Sequence, residues 1–260
     1  MEFNYLIETT NSPFWAFAVH DGHDIDKDLH PYLIADDATR LREEDPYTGS
    51  FAELPFNRFI VATSRFQLDL NRIRKDSVYL QPEQAWGLSV WNEDLPREHV
   101  EQLYEIHDQT FAKIDELIQS TIQDHGYFVV YDIHSYNAKR QDQFESVDTE
   151  TNPEINLGTA HNHPKWRPFI DHFIQSVRDQ NVGLPPIDIR ENVKFRGGYL
   201  AKYITDRYGA YGCVLSIEFR KDFMDEWTGQ LYPEKLQSYK QLLLHTADSL
   251  PDFFAHEERK

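Results

Sequence analysis

The sequence predicts one α/β domain over residues 1–260, three layers thick, with helices on both faces of a mixed, largely parallel central sheet. Three observations carry this. Short apolar runs rich in β-branched and aromatic residues recur along the chain, longer stretches of helical period separate them, and polar residues gather where the apolar runs end. A chain of 260 residues buries roughly three quarters of its unfolded surface on folding, so no covalent staple is needed. Proline and glycine are scattered rather than pooled, and neither a repeat nor a low-complexity linker divides the chain.

Four segments are too short for helices and read as buried strands: 14–19 (FWAFAV), 58–63 (RFIVAT), 127–133 (YFVVYDI) and 212–219 (GCVLSIEF). Residues 97–123 read as a helix, with Val100, Leu103, Phe111, Ile114, Leu117, Ile118 and Ile122 on one side and Gly126 as the stop. Residues 165–179 carry Trp166, Phe169, Ile170, Phe173, Ile174 and Val177 at helical spacing. A last helix over 233–248 follows Pro233 with Leu236, Tyr239, Leu242 and Leu243. Core packing accounts for most of the aromatic residues in these stripes.

The formal net charge of −18 speaks against binding nucleic acid or an anionic membrane. It also sets a condition: if the substrate is an anion, a local group of arginines must overcome the field of the whole chain. The single cysteine, Cys213, lies among apolar residues, which excludes a disulfide framework and reads as core. The opening MEFNYLIETTNSPFWAF has no basic leader region and no long apolar run, so a cytoplasmic protein without a membrane span is expected. No GxxxxGK[ST] loop supports nucleotide chemistry.

In an open α/β sheet, polar residues at the carboxyl ends of strands converge in one crevice. His20, Asp21, Gly22 and His23 follow the first strand, Ser64 and Arg65 the second, Asp132, His134 and Ser135 finish the third, and Glu218 and Arg220 the fourth. Two imidazoles on separate strands plus one carboxylate make the ligand set of a hydrolytic zinc site. Asp132 precedes His134 by two residues, so both side chains leave one face of the strand, where an acid orients a ligand imidazole. The third ligand stays open between His23, three residues after His20, and the acids of REEDPYT, Glu44 and Asp45. A solvated acidic loop explains that last segment equally well.

SRFQLDLNR (64–72) crowds Arg65, Asp69, Asn71 and Arg72 behind a buried strand, either as a carboxylate-binding fork or as surface ion pairs around Asp69. FRGGYL (195–200) sets Arg196 before two glycines at the start of a helical stretch, an anion site or a plain turn. Glu218 alternates inward on an apolar strand, where a carboxylate is costly unless it is functional or paired to Arg220 or Arg196. In a metal hydrolase it serves as the general base.

SRFQLDLNR, DIHS (132–135), NLGT (156–159), FRGGYL and LSIEFRKDFMDE (215–226), in this order, resemble the signature blocks of the N-formylglutamate amidohydrolases. The resemblance runs from His20 to about Glu226. The DLNR segment and the histidines also resemble the wider zinc-carboxypeptidase and aspartoacylase fold. The resemblance implies one zinc ion held by His20, His134 and an acid at Asp45, with Asn71 and Arg72 on the substrate's carboxylate. It implies that Arg65 stabilises the oxyanion, that Thr159, Arg196 and Tyr199 complete the substrate pocket, and that Glu218 is base and then acid. The substrate so implied is a small anionic N-acyl amino acid, N-formyl-L-glutamate foremost. HDGH and REEDPYT mark a divergent branch in which His23 either replaces the acidic ligand or lines the pocket. A carboxypeptidase or aspartoacylase-like deacylase, and a non-catalytic metal-binding sensor, are the competing functions; the presence of both Glu218 and Arg65 ranks the sensor low.

Overall fold

The computed structural model describes residues 1–180 and 187–257. Its strands are β1 (Tyr5–Glu8), β2 (Phe14–Ala18), β3 (Asn57–Val61), β4 (Phe128–Tyr136), β5 (Ile155–Gly158), β6 (Ile189–Glu191) and β7 (Gly212–Arg220). Its helices are α1 (Asp37–Glu43), α2 (Thr48–Phe51), α3 (Arg97–His125), α4 (Arg167–Asp179), α5 (Tyr199–Tyr208) and α6 (Pro233–Glu257). The strands form one mixed sheet in the order β1-β3-β2-β4-β7-β5-β6. Its centre, β3-β2-β4-β7, is parallel; β1 and β5 are antiparallel to their inner neighbours, and β6 runs parallel to β5.

Strand alternation sorts the core into two layers. Ala16 and Ala18 of β2, Tyr131 and Ile133 of β4, and Leu215 and Ile217 of β7 pack with α2, α4 and α6. Trp15 and Phe17, Val130, and Val214 face the other way, onto α3 and α5. The three-layer α/β/α expectation is met.

The four segments expected as strands are β2, β3, β4 and β7. β4 runs on to Tyr136 and so carries His134 inside the sheet rather than beyond it. The short strands β1, β5 and β6 add to these; none is longer than four residues, too few for a period-two signal in the sequence. α3 stops at Gly126, which takes a φ of 80° as its C-cap. α6 outruns its expected end at residue 248 and continues through Pro251. Phe253 and Phe254 beyond the proline pack onto the α2–α4–α6 core, and that burial holds the last turns.

Candidate metal centre and active site

A cleft of about 360 Å³ opens where β2, β3, β4 and β7 end. In the β4–β7 register His134 lies opposite Glu218 and Asp132 opposite Ser216, so all four side chains share the α3–α5 face of the sheet. His20, two residues past β2, is brought beside them, its ring centre 4.9 Å from that of His134.

Gly22 shows why HDG folds as it does. A Cβ there would lie 2.1 Å from the carbonyl carbon and oxygen of Ala62, so only glycine lets the chain after His20 turn against the end of β3. Asp21 meanwhile accepts from the Gly49 amide at 2.8 Å and ties the turn to α2.

The two histidines are posed alike. His20 Nε2 donates to Asp69 Oδ1 at 2.7 Å, and His134 Nε2 donates to Asp132 Oδ1 at 2.9 Å. With the Nε2 positions protonated, the Nδ1 atoms of the neutral rings carry lone pairs. Both point at the same oxygen, Asp45 Oδ2, from 3.3 and 3.1 Å. Lone pairs of two imidazoles and a carboxylate thus converge inside the protein, and His20 Nδ1 is buried without a hydrogen-bond partner. A metal ion relieves that arrangement, as does a proton on His134 Nδ1 donated to Asp45 Oδ2 at 3.1 Å. His20, Asp45 and His134 are the group among the described residues whose donor atoms, all within 4.8 Å of one another, could hold a metal ion. The donor set fits a divalent metal, and imidazole with carboxylate suits zinc.

Asp69 and Asp132 hold the rings from behind. Asp69 is fully buried and also accepts from the Arg65 guanidinium at 2.8 Å, from the Asn71 amide at 2.7 Å and from the Tyr79 hydroxyl. Burial pushes its carboxyl up, but Arg65 and His20 outweigh that and hold it well below the ordinary range. Surface ion pairing around Asp69 is therefore not what the structure shows. Asp132 accepts from Ser216 at 3.0 Å. Burial disfavours the charged form of His134, yet Asp132 and Asp45 dominate and raise its basicity well above an ordinary imidazole.

Glu218 lines the cleft, and no hydrogen bond or ion pair engages its carboxyl among the described residues. Burial, reinforced by Asp45 and Asp132 and opposed by His134 and Arg65, pushes it up to about 8. The competing salt bridges do not form: Arg220 turns to Asp222 at 2.6 Å, and Arg196 makes no ion pair among the described residues.

The acidic segment 43–45 is buried rather than solvated. Glu43 is bound by Arg42 at 2.6 Å and Arg140 at 2.7 Å. Glu44 accepts from Ser64 and faces His23 Nδ1 at 2.5 Å. That contact takes His23 away from the metal group, and Arg40 closes on its other nitrogen at 3.3 Å. His23 lines a separate surface cleft with Asp24, Asp26 and Asp37.

Of the remaining residues singled out in the sequence, Arg65, Asn71, Arg72 and Arg196 line the main cleft. Asn71 Oδ1 accepts from the Leu200 amide at 3.0 Å and caps α5, leaving its NH₂ group as the donor. The FRGG turn owes its glycines to this packing: Gly197 has a φ of 103°, and a Cβ on Gly198 would lie 2.1 Å from Asn71 Oδ1. Two residues lie outside the cleft. The Thr159 hydroxyl donates to Glu191, and the Tyr199 ring packs on Phe111 at 5.5 Å and borders an adjoining hollow.

Trp86, Arg140, Lys194 and Lys221 also line the cleft, and the sequence assigns none of them a role. Trp86 stands at the mouth, with the guanidinium carbons of Arg65 and Arg140 at 4.9 and 5.7 Å from its ring centre. Trp86 and Arg140 lie outside every motif, where only residue type is visible; Lys194 adjoins FRGGYL and Lys221 lies within LSIEFRKDFMDE, blocks whose order rather than their lysines carries the signal.

The family model of N-formylglutamate amidohydrolase matches residues 12–224. No curated protein matches the sequence. The crystal structure of N-formylglutamate amidohydrolase from Ralstonia eutropha superposes with a TM-score of 0.72 at 15% identity, covering 95% of this chain and 98% of that one. A gene product of Agrobacterium tumefaciens superposes with a TM-score of 0.66 at 16% identity, covering 96% and 95%. A metallo-carboxypeptidase from Burkholderia cenocepacia reaches 0.37 at 11% identity, covering 92% and 57%, a level at which likeness carries no argument. The first two superpositions share the fold, and the family model spans most of the chain: the protein belongs to the N-formylglutamate amidohydrolase family.

Proposed function

We propose that the protein is a metal-dependent amidohydrolase that cuts a small anionic N-acyl amino acid, foremost N-formyl-L-glutamate, to formate and glutamate. The observation that carries this is the convergence of His20 Nδ1, His134 Nδ1 and Asp45 Oδ2 beside Glu218 on the neighbouring strand, whose carboxyl is unpaired among the described residues. A zinc ion held by His20, Asp45 and His134 would supply Lewis acidity.

The chain's own residues would do the rest. Arg72 and Arg196, with the NH₂ group of Asn71, hold the substrate's carboxylates at the rim. Arg65, already charged and fixed by Asp69, stabilises the negative charge that develops on the acyl oxygen. Glu218 takes a proton from the attacking water. The oxygen adds to the acyl carbon, the C–N bond breaks, and Glu218 returns the proton to the departing nitrogen. A carboxyl raised toward neutral pH suits both transfers.

The test is metal analysis of the purified protein with a screen for free amino acid released from N-formyl, N-acetyl and peptide substrates. Release from N-formylglutamate, abolished by a chelator and restored by zinc, is expected. Release from peptides alone would make the protein a carboxypeptidase. One bound metal without turnover would make it a sensor, and no bound metal would overturn the proposal.

A further inference from the structure

The block LSIEFRKDFMDE holds more chemistry than a general base requires. Lys221 follows β7 by one residue and is only 2% exposed. Buried ammonium groups normally pair with a carboxylate. This one makes no ion pair among the described residues. It donates instead to two backbone carbonyls, of Arg42 at 2.6 Å and of Glu44 at 2.7 Å. Both lie at the end of α1, whose last carbonyls have no partner within the helix. They bracket Glu43 and immediately precede Asp45. The Asp45 amide in turn donates to the His20 carbonyl at 2.9 Å. The segment bearing Asp45 is thus tied to three strand ends: that of β2 through His20, that of β7 through Lys221, and that of β4 through Asn137, whose Nδ2 shares the Arg42 carbonyl at 2.7 Å.

We propose that Lys221 is a positioning residue for the metal centre: by clamping the Arg42 and Glu44 carbonyls to the end of β7, it fixes the Asp45 carboxylate between His20 and His134. The inference rests on reading that triad as a metal site. A plain cap for α1 is the competing role, and the two differ in what they change. Losing a cap lowers stability and leaves the affinity of the folded protein for metal where it was. Losing a positioning residue weakens metal binding, by about 10- to 100-fold for groups that orient ligands.

The experiment titrates zinc against a chromophoric chelator into the metal-free wild type, Lys221→Met and Lys27→Met, an exposed lysine away from the cleft. Thermal melting of each metal-free protein is recorded alongside. Wild type and Lys27→Met are expected to bind one equivalent equally well, and Lys221→Met about 10- to 100-fold more weakly. Folded Lys221→Met with wild-type affinity, whatever its melting temperature, overturns the inference. Should that variant not fold, Lys221→Leu, which likewise removes the donor, is judged by the same criterion. A wild type that binds no zinc is a different failure: it removes the metal reading itself, and this inference with it.

Discussion

Glu218 and His134 face each other across one register step, yet the roles we propose for them, base and metal ligand, separate cleanly. His134 offers a lone pair held in place by Asp132; Glu218 offers a carboxyl that none of the described residues holds. Glu218→Gln keeps the size and the polarity and removes only the titratable oxygen. It is expected to retain zinc, measured by metal analysis, while the rate of N-formylglutamate hydrolysis falls about 10²- to 10⁴-fold, the usual weight of a general base. Wild-type turnover in that variant would remove Glu218 from the mechanism. The residues of this site are legible in the sequence to the extent that strand periodicity aims side chains. Alternation by itself puts Asp132 and His134 on one face of their strand and turns Glu218 inward on its own. It has nothing to say about side chains beyond a strand end, where the turn decides direction. His23 is only three residues from His20 but is drawn to Glu44 and Arg40, while Asp45, 25 residues on, swings back to share both imidazoles. For Asp69 the sequence leaves a surface ion pair open beside a carboxylate-binding cluster, because a sequence does not display burial; four donors converge on it in the interior.

Among the elements, α6 departs furthest from its sequence signal. Pro251 cannot donate to the carbonyl of Ala247, four residues back, which marks a natural end for the helix. What overrides it is tertiary: Phe254 packs against Phe14, Tyr127 and Phe169 at ring distances of 5.8, 4.5 and 5.4 Å, bridging β2 and α4. Phe254→Ala is expected to cost about 3 kcal/mol, at the low end for a buried phenylalanine because the site lies at the edge of the core. Urea unfolding checks it, and a loss within about 0.5 kcal/mol, the range of surface substitutions, would mean that the last turns are held by something else. β5, an inner strand between β7 and β6, is illegible for a different reason, since four residues carry no period and Asn156 interrupts them. Part of what fixes this side of the sheet is Glu154, which accepts from the Asp188 amide at 3.0 Å and from Lys235 of α6 at 3.1 Å. Desolvation raises its carboxyl, but these two partners outweigh it and hold the group below its ordinary 4.5. A carboxyl depressed in the folded state contributes stability that is present above 4.5 and lost as pH falls through the folded value. Glu154→Gln should therefore melt lower than wild type at pH 7, with the difference narrowing as pH falls below 4.5. A gap that stays constant across that range would mean packing, not charge, is what the substitution removes.

The whole molecule sets two fields against each other. The chain carries a formal charge of −18, whereas the cleft is lined by Arg65, Arg72, Arg140, Lys194, Arg196 and Lys221 against Glu43, Asp45 and Glu218. The local excess of arginine that the sequence requires is present, within a few ångströms of where the substrate would sit. The repelling charge is spread over a surface tens of ångströms across. Salt separates the two by distance: the screening length is about 30 Å at 0.01 M and about 10 Å at 0.1 M. Raising ionic strength over that interval silences the distant acids first and leaves the nearby guanidinium groups, half-shielded from solvent, largely effective. For an anionic substrate, kcat/KM is then expected to rise about two- to three-fold between 0.01 and 0.15 M salt. A neutral N-formyl amino acid amide, which neither field acts on, should show no such slope. The measurement is a pair of initial-rate series at fixed pH, one per substrate. If kcat/KM for the anion falls instead, the cleft cations already reach past the acidic surface and steer substrate in from solution. A fall of that kind would assign Arg196, which makes no ion pair among the described residues, and Arg72, whose contact with Asp69 is a long 3.9 Å, to capture as well as to grip.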